Sequence, residues 1–94
     1  MELIGKVEVI QEVEEKGTFK KQSLILQTEM QSQYPQFVNI EFQQNNCELL
    51  NAVVVGNDVK VSINIAGRKW VNPEGKDIYF NTIKGWKIEK TSTF

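Results

Sequence analysis

Residues Arg68 to Phe80 read Arg-Lys-Trp-Val-Asn-Pro-Glu-Gly-Lys-Asp-Ile-Tyr-Phe and gather cations and large rings on one short stretch. Asn72-Pro73-Glu74-Gly75 has the chemistry of a hairpin turn, with Pro fixing φ at the second position and Gly accepting the positive φ that follows. A type I turn followed by a left-handed Gly is a common hairpin tip. The arms then carry Arg68, Lys69, Trp70, Lys76, Tyr79 and Phe80. Rings beside cations on a projecting hairpin suit a flat, negatively charged ligand. If Asn72 opposes Lys76, Trp70 opposes Ile78 and Lys69 opposes Tyr79. Trp70 and Tyr79 then lie on opposite faces, and Trp70 shares its face with Arg68.

Most catalytic chemistry lacks its parts. There is no histidine, so neither a Ser-His-Asp nor a Cys-His arrangement can be assembled. One cysteine and no histidine also fail to make a zinc site. Cys47 fits a small buried hydrophobe better than a reactive thiol. Glu12, Glu14 and Glu15 belong to an acidic connection, and Glu41 has no partner evident in the sequence. No phosphate-cradling glycine loop is present. A non-enzymatic protein without cofactor or metal is expected.

The chain has 94 residues, 40% hydrophobic and 24% charged, as expected of one folded domain spanning residues 1–94. Its net charge of −1 argues against a generally basic coat but leaves room for a local basic groove. A single cysteine fits a reducing compartment, and the alternating N-terminal residues are neither a signal peptide nor a membrane span. A soluble cytoplasmic protein is expected.

The elements follow from periodicity. Met1 to Glu12 reads as a strand, with Leu3, Gly5, Val7 and Val9 on one face and Ile4, Lys6, Glu8 and Ile10 on the other. Gly5 would ease a bend that lets this strand serve two sheets. Val13 to Thr18 reads as a polar connection. Phe19 to Thr28 is the second strand, with Leu24 and Leu26 inward, Phe19, Lys21, Ser23 and Ile25 outward, and Lys20 at the entrance. Residues 29–36 form a loop containing Tyr34-Pro35. Phe37 to Gln43 is the third strand, with Val38, Ile40 and Phe42 as its core face. Asn45 followed by Glu48 matches a capping box, so Asn45 to Val55 reads as a short helix that frays at Val53-Val54-Val55 and ends at Gly56-Asn57. Asp58 to Ala66 is the fourth strand, with Val59, Val61, Ile63 and Ile65 inward. The hairpin leads into the fifth, Ile78 to Glu89, where one extra residue near Gly85 would put Ile83, Trp86 and Ile88 all inward. Residues 90–94 read as a flexible tail.

Three strands, a short helix and two more strands, in about a hundred residues, is the order of an all-β OB-fold, a five-stranded Greek-key barrel. The hairpin then joins the fourth and fifth strands, beside the face of the second and third strands where oligonucleotides bind such barrels.

The sequence resembles the small bacterial and phage OB-fold proteins known as a domain of unknown function and akin to single-stranded-DNA-binding proteins. The resemblance rests on the opening Met-Glu-Leu-Ile-Gly-Lys-Val, Phe19-Lys20-Lys21-Gln22 running into Leu24 to Thr28, and Tyr34-Pro35. Gly56-Asn57-Asp58-Val59, Arg68-Lys69-Trp70 and Ile83 to Ile88 continue it in order over most of the chain. Members often carry Trp where this chain has Phe19, which keeps a smaller stacking ring. Typical single-stranded-DNA-binding proteins also carry a long acidic tail that recruits partners. This sequence stops at Phe94 without one, so recruitment by that route is not expected.

Single-stranded nucleic acid needs cations along its phosphates and rings under its bases. Phe19, Lys20, Lys21, Tyr34, Phe37, Asn39, Arg68, Lys69 and Trp70 are the candidates. Each has a plainer role open to it. Trp70 is as well suited to cap the barrel or to join subunits, Phe37 to cover the end of the sheet, and Lys20, Lys21 and Lys69 to guard strand edges. The expected activity is binding of single-stranded DNA with little sequence preference, as a homo-oligomer, in replication, recombination or repair. An assembly module and single-stranded RNA binding are the alternatives.

Overall fold

The computed structural model describes residues 1–28 and 33–91. Six strands and one 3₁₀ helix follow in the order β1 (Glu2–Ile10), β2 (Glu14–Lys16), β3 (Phe19–Thr28), β4 (Gln36–Gln43), the helix (Gln44–Ala52), β5 (Asp58–Val71) and β6 (Asp77–Lys90). The sheet runs β1-β5-β6-β4-β3-β2, and β1 pairs again with β3 to close the ring. All pairings are antiparallel except β4 with β6, which meet in parallel at Glu41 and Lys84. This is the OB barrel, with β1, β3, β4, β5 and β6 as its five main strands.

The core is made by the inward phases. Leu24, Leu26, Ile40, Phe42, Val59 and Val61 are completely buried. β1 serves two partners, pairing through residues 2–6 with β5 and through residues 6–10 with β3. The bend needs Gly5, because a Cβ there would collide with the Gln27 carbonyl oxygen and stand 3.0 Å from Leu26 Cγ. Gly56-Asn57 is tied to the same strand: Gly56 N donates to Val7 O, and Val7 N to Asn57 O, both at 2.9 Å.

Several local readings are corrected. The acidic connection of 13–18 contains β2, whose Glu14–Lys16 pairs with Phe19–Lys21 across a turn at Gly17, φ 61°. A bulge between Val7 and Val9 inverts the phase of β1, so Val9 is exposed and Ile10 packs on the core. The helix is 3₁₀, begins at Gln44 and has no side-chain cap; Cys47 and Leu50 are its buried residues. Chain beyond it is extended at Val53, as β-branching demands. The extra residue expected near Gly85 is Trp86 itself, since Ser62 faces Lys87 and Ile63 faces Gly85. Trp86 therefore turns outward and is 49% exposed, while Ile83 and Ile88 pack on the core. Ile65 lies beyond the barrel and is exposed. Residues 29–32 of the expected loop and 92–94 of the expected tail lie outside the described residues.

β5 and β6 continue past the barrel as the hairpin. The Cα radius of gyration is 15.0 Å, above the roughly 12 Å of a compact chain this long. Its tip is built as the turn chemistry dictates. Gly75 N donates to Asn72 O at 2.9 Å, Gly75 has φ 81°, and Asn72 Oδ1 accepts from Glu74 N at 3.0 Å and Lys76 N at 2.9 Å. Asn72→Ala removes both side-chain bonds. Loss of about 1 kcal/mol of local stability is expected, read as roughly fivefold faster amide exchange across the hairpin with the barrel amides unchanged.

Candidate nucleic-acid interface

The outward phase of β3 and β4 and one face of the hairpin enclose a cleft of about 460 Å³. Register decides which side chains enter it. Across the hairpin Arg68 pairs with Phe80, Ala66 with Thr82 and Asn64 with Lys84, so these pairs share a face. Across β3 and β4, Lys21 pairs with Gln43 and Ser23 with Glu41 on the face opposite Leu24 and Ile40. Phe19, Lys21, Glu41, Gln43, Arg68, Phe80, Thr82 and Lys84 all line the cleft.

A second cleft of about 650 Å³ shares Lys21, Glu41 and Thr82 with the first and continues along β3 and β4 past Asn39 and Phe37, with Gln11 and Glu14 beside it. The two make one groove. Among the described residues its charged lining is Lys21, Arg68 and Lys84 against Glu41 and Glu14. Among these the cations exceed the anions by one, on a chain of net charge −1.

Glu41 lies where the two clefts meet. Its carboxylate stands 3.9 Å from the Lys21 ammonium through Oε1, and Oε2 accepts a short hydrogen bond from Gln43 Nε2. Gln43 precedes the 3₁₀ helix at the position where a cap would sit, but its amide is committed to Glu41 instead.

Of the residues expected in the site, Phe19, Lys21, Phe37, Asn39 and Arg68 come together in this groove. Trp70 shares the Arg68 face but lies nearer the tip, opposite Ile78, and is 48% exposed. Lys69 is opposite Tyr79 on the reverse face. Tyr34 is exposed at the bend before β4, where its carbonyl accepts from Gln36 Nε2 at 3.3 Å. Lys20 shares the inward phase of β3 and sits toward the helix, close enough for its charge to act on Cys47. Burial pushes the Cys47 thiol above its ordinary range, and the Lys20 charge opposes this in part. The thiol donates to Phe42 O at 3.2 Å. It serves packing.

Phe80, Lys84, Thr82 and Gln43 also line the groove, and the pattern of rings and cations alone does not single them out. The signal for Phe80 is the hairpin register: pairing Lys69 with Tyr79 also sets Arg68 against Phe80. Away from the groove, Lys87 and Glu89 bond at 2.9 Å; this holds the lysine above its usual range and the carboxyl below its own. Among the described residues no acidic or cysteine cluster could hold a metal ion, and no helix is long and apolar enough to cross a membrane.

No curated protein matches the sequence. Two crystal structures of Rim1, a mitochondrial single-stranded-DNA-binding protein of S. cerevisiae, are similar in fold. One is 13% identical with a TM-score of 0.70, over 96% of this chain and 91% of that one. The other, selenomethionine-labelled, is 18% identical with a TM-score of 0.55, over 96% and 90%. At these identities the likeness concerns the fold. A family model described as a domain of unknown function (DUF3127) matches residues 2–89, nearly the whole barrel, and the chain belongs to that family.

Proposed function

We propose that this protein binds single-stranded DNA without catalysing a reaction, holding bases by stacking and phosphates by ion pairing, with little sequence preference. The observation that carries this is the groove. It sets the exposed rings of Phe19, Phe80 and Phe37 along one path with Lys21, Arg68 and Lys84 beside them. Rings accept any base, and cations follow any backbone. Rim1, whose fold is similar, is a single-stranded-DNA-binding protein, which supports the same reading. Trp70 and Tyr34 would extend the path beyond the groove. As a homo-oligomer, several such grooves would act together on one strand.

Titration with an oligo-dT of changing salt tests this. Three groove cations predict a slope of log K against log salt of about −2. That is roughly a twentyfold loss of affinity when salt is raised fourfold. No shift of a dT oligomer at low salt would sink the proposal. An rU oligomer in parallel decides between DNA and RNA, because stacking alone does not distinguish the sugars.

A second reading is favoured by the reverse face of the hairpin, where Ile65, Val71 and Tyr79 are all more than half exposed. There the barrel would serve assembly, and Tyr79→Ala on that face would dissociate an oligomer with any DNA binding falling only as a consequence, whereas Trp70 lies on the opposite face with Arg68. Light scattering of wild type and variant, beside the same titration, separates the two.

A further inference from the structure

A carboxylate at the centre of an anion-binding groove calls for an explanation. Glu41 projects from β4 into both halves of the groove, and its side chain is 20% exposed. Its Oε2 is taken by Gln43. Its Oε1 faces Lys21 at 3.9 Å, beyond hydrogen-bond length, so acceptor capacity remains on that oxygen. An ion pair this long at a partly exposed site adds little to stability. Phosphates are repelled from this point and are drawn to Arg68 further along the hairpin, while Lys84, paired with Glu41 across β4 and β6, partly offsets the carboxylate. With the backbone held there, the bases turn toward β3 and β4, with Phe19 on β3 and Phe80 on β6 as the stacking rings of the cleft.

We infer that Glu41 reads the edge of a base in this groove, accepting a hydrogen bond from an exocyclic amino group and disfavouring bases that present a carbonyl oxygen in its place. The inference rests on single-stranded binding in the groove and gives that binding a base preference. Cytosine offers N4–H₂ to an acceptor, and glutamate is a suitable partner for it. Uracil and thymine offer O4 at the same point, which the carboxylate repels. Their N3–H lies between two carbonyl oxygens that repel it as well. Discrimination thus comes from repulsion as much as attraction, and it is modest, because the groove is open to water.

The test compares oligo-dC with oligo-dU of equal length, which share the sugar and lack the thymine methyl. Mildly alkaline pH keeps cytosine neutral. The wild type is expected to favour dC by about fivefold. Glu41→Gln presents an amide that can donate or accept, so the ratio falls toward one while affinity for both oligomers rises, since Lys21 loses its anionic neighbour. Lys21→Met weakens both oligomers and keeps the preference for dC. A wild-type ratio of one, or a ratio that survives Glu41→Gln, overturns the inference while leaving binding intact. Failure of both oligomers to bind at all removes the underlying function instead.

Discussion

Gly85→Ala lowers the stability of the barrel by about 3 kcal/mol, at the upper end of what overpacking a core costs. An added Cβ would stand 2.7 Å from Phe42 Cε1 and 2.9 Å from Cε2, and closer still to Cζ. No real Cβ tolerates such distances, so the ring or the strand must move. Phe42 is completely buried and cannot swing into solvent. β6 cannot shift either, because Gly85 is paired with Ile63 next to the Trp86 bulge and follows Lys84, which meets Glu41 where β4 and β6 close the ring. For a chain of this size the loss corresponds to a melting temperature lower by roughly 15 °C. Thermal unfolding followed by circular dichroism reads it directly. Phe42→Leu in the same chain should recover part of the loss, with a favourable coupling of at least about 1 kcal/mol in a double-mutant cycle. An unchanged melting temperature for Gly85→Ala would mean that the ring does not lie across this glycine. The variant should also bind single strands less well, because the ring closure it strains positions Lys84 and Glu41 at the groove.

The bulges mark the limit of what the sequence alone discloses. Alternation correctly places Leu24, Leu26, Ile40, Phe42, Val59, Val61 and Ile63 in the core, because each strand is inward on one phase for most of its length. It fails at Val9 and Trp86. Each lies at or beside a point where one strand takes an extra residue, and the need for that residue comes from closing the barrel between distant strands. An extra residue near Gly85 is legible from the broken phase of Ile83 and Ile88. Which residue is expelled is not, since a tryptophan is the least obvious choice. The capping pattern at Asn45 and Glu48 is present, yet the helix starts one residue earlier as 3₁₀ with Gln44 at φ 53°. The short run between β4 and β5 and the burial of Cys47 and Leu50 outweigh the local preference.

The hairpin shows the opposite case. Its register follows from four turn residues, and the observed pairs from Val71–Asp77 to Arg68–Phe80 continue it without a slip. What the turn could not give was how far the hairpin stands from β3 and β4. That distance separates Arg68 and Phe80, which line the cleft, from Trp70, which is nearer the tip. Lys20 is a simpler lesson. Its adjacency to Lys21 groups the two by charge, but alternation puts Lys20 in phase with Leu24 and away from the groove.

These placements make the functional prediction sharper than a count of aromatics would. Phe19→Ala and Phe80→Ala are each expected to weaken binding of a dT oligomer by about tenfold, as for one stacked base of roughly 1–3 kcal/mol. The double variant is expected to weaken it by about a hundredfold if the rings hold different bases. It should weaken it by less than the product if one base lies between them, so the deviation from additivity reports the stacking arrangement. The slope of affinity against salt should stay near the wild-type value in all three, because rings release no counterions. Arg68→Ala behaves differently: affinity falls and the slope decreases by roughly one ion's share. Trp70→Ala separates the tip from the groove. A small loss of affinity with the slope preserved fits a strand held between Phe19 and Phe80. A loss larger than either groove ring produces would move the centre of binding out to the tip. Neither Phe19 nor Phe80 is buried, at 38% and 46% exposure, so both alanine variants should keep their melting temperatures within a few degrees of the wild type. Loss of binding can then be read as loss of contact with the strand and not as unfolding. A Phe80→Ala variant that binds as tightly as the wild type would remove that ring from the interface and leave Arg68 and Trp70 as the hairpin's contacts beside the outer surface of β3 and β4.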